Sequence, residues 1–123
     1  MTKAQARRAC KWFQENIGLA GWTIKVCLKD CPAEIDATPD DEANNCGMYS
    51  VHRICENLFI WINPKIAVDK PGDYCDSLST LMHELMHGAF FAVGINSSPL
   101  QEHLIDRIAN MLAAQYRQWQ IKS

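Results

Sequence analysis

The chain has 123 residues, of which 48% are hydrophobic and 21% charged, and this composition suits one folded domain over residues 1–123. The formal net charge is −2 at pH 7, and the twelve Lys and Arg residues are scattered along the chain. A nucleic-acid-binding surface needs clustered basic residues, so no nucleic-acid partner is expected. No apolar run approaches the length of a membrane span, so no membrane partner is expected either.

The first residues do not resemble a secretory signal peptide, because they are charged and no apolar segment follows them. We therefore predict a cytoplasmic location, where thiols remain reduced. Six cysteines occur, and no two of them form the Cys-x-x-Cys pair that is typical of zinc knuckles. On these grounds all six cysteines are predicted to be free, small and partly buried side chains.

The first part of the chain predicts one helix and three strands. Residues 4–16 carry apolar side chains at spacings of three and four, which predicts an amphipathic helix. Residues 22–29 alternate between apolar and polar side chains, which predicts a half-buried strand. Residues 30–45 are rich in Pro, Asp, Glu and Asn and predict a long loop. Residues 46–51 and 57–62 are predicted to form the second and third strands, and the third is the most apolar.

Two helices are predicted to follow, so the order is helix, three strands, helix, helix. The first begins at Asp76 or Ser77 and ends near Val93, before Gly94. The second covers residues 98–119 and opens on a capping box that starts at Ser98. This order predicts an α+β fold.

The segment His83-Glu84-Leu85-Met86-His87 lies inside the first of these two helices. Residues four apart share one helical face, so the imidazoles of His83 and His87 can point at one metal ion. Glu84 lies beside them and can take a proton from a metal-bound water. The segment therefore predicts one zinc ion per chain. The competing interpretation is a solvent-facing pair of histidines on a surface helix.

A catalytic zinc needs a third protein ligand and one open position. On the next helix, Glu102 and Asp106 are four residues apart and share one face. Glu102 lies at the border of the predicted buried face, whereas the adjacent His103 points toward water. The side chains that define that buried face are Leu104, Ile105, Ile108, Met111, Leu112 and Trp119. We therefore predict Glu102 as the third ligand and Asp106 as an acid that orients a ligating histidine.

This pattern resembles the gluzincin branch of the zincin metallopeptidases, in which His-Glu-x-x-His is followed on the next helix by Glu-x-x-x-Asp. The brevity of the chain also resembles the minimal gluzincins and the ImmA/IrrE-like metallopeptidases of phages and prophages. The resemblance implies a zincin-like minimal core: an N-terminal helix, a three-stranded sheet, the active-site helix and a C-terminal helix with the third ligand. A phage-encoded protein of this kind would act in the host cytoplasm.

The same resemblance assigns a role to each site residue. It implies that His83, His87 and Glu102 hold the zinc ion. Glu84 would be the general base, and Asp106 would hydrogen-bond His83.

The resemblance further implies that the strand before the active-site helix, residues 57–62, is an edge strand that pairs with an extended substrate. The apolar composition of this strand fits a central position in the sheet as well. An oxyanion stabiliser is also expected, and Tyr49, His52 and Tyr74 are candidates by residue type.

Two functions of different class remain open at this stage. The first is a zinc metalloendopeptidase that acts on a peptide or protein substrate. The second is a binding or inhibitory protein on a zincin fold, such as a phage accessory factor, whose zinc is structural or vestigial. Glu84 favours the peptidase, because a zinc site without chemistry has no need of a base.

Overall fold

The computed structural model describes residues 1–95 and 99–123, and within them the chain forms four α-helices and a mixed sheet of three strands. The predicted α+β class is therefore confirmed, and so is the order of the predicted helices and strands. No helix in the described part of the chain combines the length and apolar character needed to cross a membrane. The elements are α1 Lys3–Asn16, β1 Thr23–Cys27, α2 Pro39–Asn44, β2 Gly47–His52, β3 Asn57–Ile62, α3 Ser77–Ala92 and α4 Pro99–Lys122.

The predicted loop of residues 30–45 contains two short helical segments, the 3-10 turn Ala33–Ile35 and α2. A reciprocal cap starts α2: the Asp41 N–H donates to Thr38 Oγ1, and the Thr38 N–H donates to the Asp41 carboxylate. The 3-10 turn buries Ile35. Local capping therefore orders a polar stretch in which hydrophobic periodicity gives no signal.

The sheet has the strand order β1-β3-β2, in which β1 is parallel and β2 antiparallel to β3. The third strand is therefore the central strand of the sheet, and the edge position implied by the zincin resemblance is wrong. Its burial explains the position: Leu58, Ile60 and Ile62 on one face and Trp61 on the other are buried. The open edges of the sheet belong to β1 and β2.

Helix α3 packs on the face of the sheet that carries Leu58. Gly88 makes this approach possible, because a Cβ atom there would lie only 2.6 Å from Leu58 Cδ2. The neighbour that approaches α3 at Gly88 is therefore β3. Helix α1 packs against both α3 and β1 and adds Phe13 to the same core.

Helix α4 packs along α3 through a narrower face than the sequence predicts. Ile105 and Leu112 are buried as expected, but Leu104, Met111 and Trp119 are 54%, 61% and 47% exposed. The buried face is instead completed by small residues and one tyrosine: Ala109, Ala113 and Tyr116. Small side chains let the two helices approach closely. The size of the side chains at the contact, and not their hydrophobicity alone, therefore determines which face of α4 is buried. The capping box predicted at Ser98 lies outside the described residues.

Two of the cysteines predicted to be free, Cys46 and Cys75, form a disulfide. They are 29 residues apart in the sequence, and the fold brings their Cα atoms to 5.7 Å. The bond joins the residue before β2 to the residue before the cap of α3. This pairing depends on tertiary structure, so cysteine spacing could not reveal it. The free cysteines are Cys10, Cys27, Cys31 and Cys55.

The two long helices are also joined by an ion pair between Asp76 and Arg117. Asp76 is fully buried and caps α3, because its carboxylate accepts hydrogen bonds from the Ser79 N–H and hydroxyl. Arg117 Nη2 donates to both oxygens of the same carboxylate, at 2.8 and 2.9 Å. One buried carboxylate thus starts α3 and holds the C-terminal half of α4 against it.

We expect Arg117→Met to lower the free energy of unfolding by about 3 kcal/mol or more, because it leaves a buried carboxylate without its cation. Arg107→Met is the matched control: Arg107 lies on the same helix and is exposed, so a change of about 0.5 kcal/mol or less is expected. Denaturant unfolding of metal-free protein without reductant measures both. Equal losses in the two variants would show that the Asp76 pair does not hold α4.

Candidate metal centre

Packing of α4 against α3 brings His83, His87 and Glu102 together. One ligand atom from each of the three lies within 4.8 Å of the others. His83 Nε2 and His87 Nε2 are 3.0 Å apart, and the two Glu102 oxygens lie 3.2 Å from His83 Nε2 and 2.9 Å from His87 Nε2. Two imidazoles and a carboxylate are ligands that suit a divalent transition metal. This group can therefore hold a metal ion.

The separations between these atoms can be compared with those of a real metal site. Bonds of about 2.0–2.1 Å in a tetrahedral site place neighbouring ligand atoms roughly 3.3 Å apart. The three separations of 2.9 to 3.2 Å are only slightly shorter. Side-chain shifts of a few tenths of an ångström, well within rotamer freedom, would match the geometry of a small cation.

Asp106 lies where it can orient the first histidine. Its Oδ1 atom is 2.7 Å from His83 Nδ1. A carboxylate at this distance favours the tautomer with hydrogen on Nδ1, which leaves the lone pair of Nε2 directed at Glu102 and His87. Glu102 and Asp106 are one helical turn apart, and each contacts one ring nitrogen of His83: Glu102 contacts Nε2 and Asp106 contacts Nδ1.

His87 is buried, unlike the solvent-facing pair of histidines of the competing interpretation. Only 4% of His87 is exposed. Tyr49 of β2 stacks on its imidazole, with ring centroids 4.7 Å apart and planes within 10°. Burial is the main cause that lowers the pKa of His87, although Glu102 acts in the opposite direction. The lowered pKa favours the neutral imidazole, which is the form that binds metal.

Glu84 is buried beside the metal-ligand group, with 6% of its surface exposed. Burial, and then the negative charges of Glu102 and Asp106, raise its pKa from 4.5 to about 8. Gly47 of β2 lies against the same side chain: a Cβ there would lie 3.6 Å from Glu84 Cγ and 2.6 Å from Thr80 Cγ2. A larger residue at position 47 would push β2 away from the site.

A cleft of about 650 Å³ opens onto this site. Its lining includes His83, Glu84 and Glu102. Tyr74, one of the three oxyanion candidates, is highly exposed at its edge. The other two differ: Tyr49 stacks on His87, and His52 packs edge-on against Phe59 and does not line the cleft. His103 is exposed and lies outside the metal-ligand group.

Sequence reasoning placed the residues on the two helices but missed those on β2. By residue type, Tyr49 is predicted only as an oxyanion stabiliser, and nothing in the sequence marks Gly47. No spacing rule links β2 to α3, because the antiparallel pairing of β2 with β3 decides which of its residues reach the site. Side chains of a strand alternate between its two faces, so the strand predicted over residues 46–51 is enough to place Gly47 and Tyr49 on a common face.

No family model, no curated protein and no solved structure matches the chain. The resemblance to gluzincins therefore depends only on the residues from His83 to Asp106 and on the helices that carry them. A function for the chain has to be argued from the geometry of this site.

The buried Glu84 should make the metal-free protein sensitive to alkaline pH. Its pKa is about 8 in the folded chain against a usual 4.5, so the folded state favours the protonated acid. The resulting stability is complete below pH 4.5 and is lost as pH rises through about 8. The loss is on the order of 5 kcal/mol, since each pKa unit corresponds to about 1.4 kcal/mol.

Glu84→Gln isolates this effect, because the amide has the same shape and does not ionise. We expect its stability relative to wild type to increase steadily between pH 5 and pH 9 when both are unfolded by denaturant with a chelator present. The titration of His87 occurs in both proteins and cancels in the difference. Parallel stability curves would contradict a raised pKa for Glu84.

The third ligand can be tested by comparing adjacent residues. We expect Glu102→Ala to weaken Zn²⁺ binding by more than the roughly 10- to 100-fold that removal of an orienting partner costs. His103→Ala should leave it unchanged, because His103 is exposed and outside the group. Competition against a chromogenic chelator measures both affinities. Weaker binding in the His103 variant alone would remove Glu102 from the site.

Proposed function

We propose that the chain is a zinc-dependent metallopeptidase that hydrolyses peptide bonds with Glu84 as general base. The observation that carries the proposal is the position of Glu84: a buried carboxyl on the wall of an open cleft, directly beside three converging ligand atoms. A carboxyl that serves only packing or charge balance has no reason to occupy such a position.

Zinc is the metal that best fits the ligands. Two histidines and one glutamate make a frequent catalytic zinc set, in which the fourth position of a tetrahedron belongs to water or substrate. When bound, zinc would lower the pKa of a coordinated water and polarise the carbonyl of the substrate. A structural zinc site is normally closed by four protein ligands. Three protein ligands beside a cleft of about 650 Å³ therefore favour catalysis over the alternative of a binding protein with a structural zinc.

Glu84 supplies the proton transfers. Its carboxylate would accept a proton from the attacking water and later return it to the leaving amine. Low exposure suits this role, because bulk water is kept from the carboxyl group and the proton stays within the site. Glu84 is not one of the three ligands, so its charge can change during the reaction while the metal ligands remain unchanged.

Asp106 and Tyr49 act as positioning residues for the two histidines. Asp106 contacts the Nδ1 atom of His83, and the ring of Tyr49 covers one face of His87. Each imidazole is thereby held with its Nε2 atom toward Glu102. Ligands that are already in place reduce the ordering that metal binding requires.

The outer edge of β2 provides a place for the substrate backbone. The Asn63 N–H donates to the Cys46 carbonyl, so alternate residues of the antiparallel pair turn their backbone groups toward β3. Gly47 and Tyr49 then direct their N–H and C=O groups away from β3, and Gly47 lines the cleft. An extended peptide that adds to this edge would pass Glu84 and the metal ligands. The edge strand of the proposed enzyme is thus β2, one strand away from the position that the sequence resemblance implied.

The proposal is tested by digesting a peptide library with zinc-loaded wild type and Glu84→Gln. Wild type is expected to cleave peptides, whereas Glu84→Gln should lose at least about 100-fold in rate while it retains one zinc per chain by native mass spectrometry. Glu34→Gln, which changes an exposed glutamate of the 3-10 turn, is the control and should cleave like wild type.

Two results would contradict the proposal. A chain that remains metal-free after incubation with zinc has no metallopeptidase site. A Glu84→Gln protein that cleaves as fast as wild type has a different base, or its activity comes from a contaminant.

A further inference from the structure

The sheet has a second open edge, on the side away from the metal centre. β1 pairs only with β3, and the Thr23 N–H donates to the carbonyl of Glu56. In a strand, alternate residues turn their backbone groups to the same side, so Ile24 and Val26 direct theirs away from β3. In the described part of the chain, neither residue has a hydrogen-bond partner on that outer side.

A groove of about 530 Å³ runs between this edge and α1. Its floor is apolar and includes Ala6, Cys10 and Ile24. Burial raises the pKa of the Cys10 thiol to about 12, so this side chain is uncharged at neutral pH and acts as a small apolar group. The groove thus combines an apolar floor with unused backbone donors and acceptors.

The walls of the groove are positively charged. Lys3, Arg7 and Lys11 line it from α1, and Lys25 lines it from β1. No acidic residue is among the side chains that line it in the described part of the chain. Lys11 has an exposed ion pair with Glu15 at 3.9 Å, a contact too weak to neutralise the row. The groove therefore attracts a negatively charged ligand.

The spacing of the cations matches that of side chains on an added strand. Lys3, Arg7 and Lys11 are four residues apart, which is about 6 Å of rise along a helix. Side chains on one face of an extended peptide repeat every two residues, or about 6.8 Å. Successive acidic side chains of a strand paired with β1 can therefore each approach one cation of α1.

We propose that the outer edge of β1 binds an extended acidic segment of a partner protein, which adds to the sheet as a fourth strand. The backbone of the partner would pair with Ile24 and Val26, and its alternate Asp or Glu side chains would meet Lys3, Arg7 and Lys11. Because β1 and β2 are on opposite edges, this binding site is separate from the cleft at Glu84 and does not depend on peptidase activity.

Two other occupants fit the groove less well. Pairing of β1 with β1 of a second copy would bring two sets of four cations together, and like charges across such an interface repel. Single-stranded nucleic acid is negatively charged but is usually held by aromatic side chains on which bases stack. No aromatic side chain is among the lining residues in the described part of the chain.

The test uses fluorescence anisotropy with a labelled peptide of alternating Glu and Thr and a matched peptide of alternating Gln and Thr. We expect the acidic peptide to bind wild type with an affinity that falls as salt is raised. Arg7→Glu should weaken it about tenfold or more, because one attraction becomes a repulsion. Lys70→Glu makes the same charge change at an exposed site outside the groove and should bind like wild type.

Val26→Pro tests the strand pairing separately. Proline removes the outward N–H of Val26, and the bonds from β1 to β3 do not use that group. We expect weaker binding with an unchanged circular dichroism spectrum. If this variant does not fold, the Glu-Thr peptide carrying an N-methyl group at every second residue, compared with its unmethylated form, measures the same backbone contribution.

Several results would overturn the proposal. Equal binding of the acidic and neutral peptides would exclude the role of the cations. Full affinity in Val26→Pro and for methylated peptide would mean that no strand is added. Tighter binding of a single-stranded oligonucleotide that displaces the peptide would assign the groove to nucleic acid. Dimer formation that Val26→Pro abolishes, measured by sedimentation, would assign it to a second copy.

Discussion

The buried carboxylate of Asp76 is the constraint on which the candidate metal centre depends. It caps α3 and binds Arg117 of α4, so it fixes the relative positions of the two helices along their length. The two helices are antiparallel, so residues of α3 that follow Asp76 face residues of α4 that precede Arg117. Asp106 therefore lies opposite His83, and Glu102 lies opposite His87. Burying an ion pair adds little net stability, but an unpaired buried charge is costly. The pair therefore selects one alignment of the two helices and adds little to the stability of the fold.

The site formed by this alignment is unfavourable without a cation. Glu84, Glu102 and Asp106 place three carboxyl groups in a small volume, and burial holds His87 toward its neutral form. Burial, and then the negative charges of Glu102 and Asp106, raise the pKa of Glu84. A divalent cation would offset the repulsion and at the same time accept the lone pairs of the imidazoles. The features that lower the stability of the metal-free fold are thus the features that would hold the metal.

The parts of this structure that the sequence predicts are the local ones. Helix α3, its cap at one of the two residues Asp76 and Ser77, and the face shared by His83 and His87 follow from residue spacing within single helices; the cap is Asp76, and Glu102 groups with the two histidines. The parts that it does not predict depend on contacts between distant segments. The disulfide between Cys46 and Cys75 and the stacking of Tyr49 on His87 depend on tertiary packing, which no local pattern encodes. The central position of β3 agrees with its apolar composition, whereas the zincin resemblance implied an edge strand. The exposure of apolar residues on α4 also depends on tertiary packing, because the alanines of α4 set how closely α3 approaches.

The two edges of the small sheet show how one fold can use extended peptides in two ways. An open edge is a liability, because its unused backbone groups pair with any available strand. At β2 the edge borders the cleft of the candidate metal centre, where Gly47 permits close packing and an added strand would meet Glu84. At β1 the protection is electrostatic: Lys25 and the row of cations on α1 repel a second copy of the same edge. The charge that prevents self-association at β1 also selects a negatively charged strand, so protection of the edge and recognition of a partner arise from the same side chains.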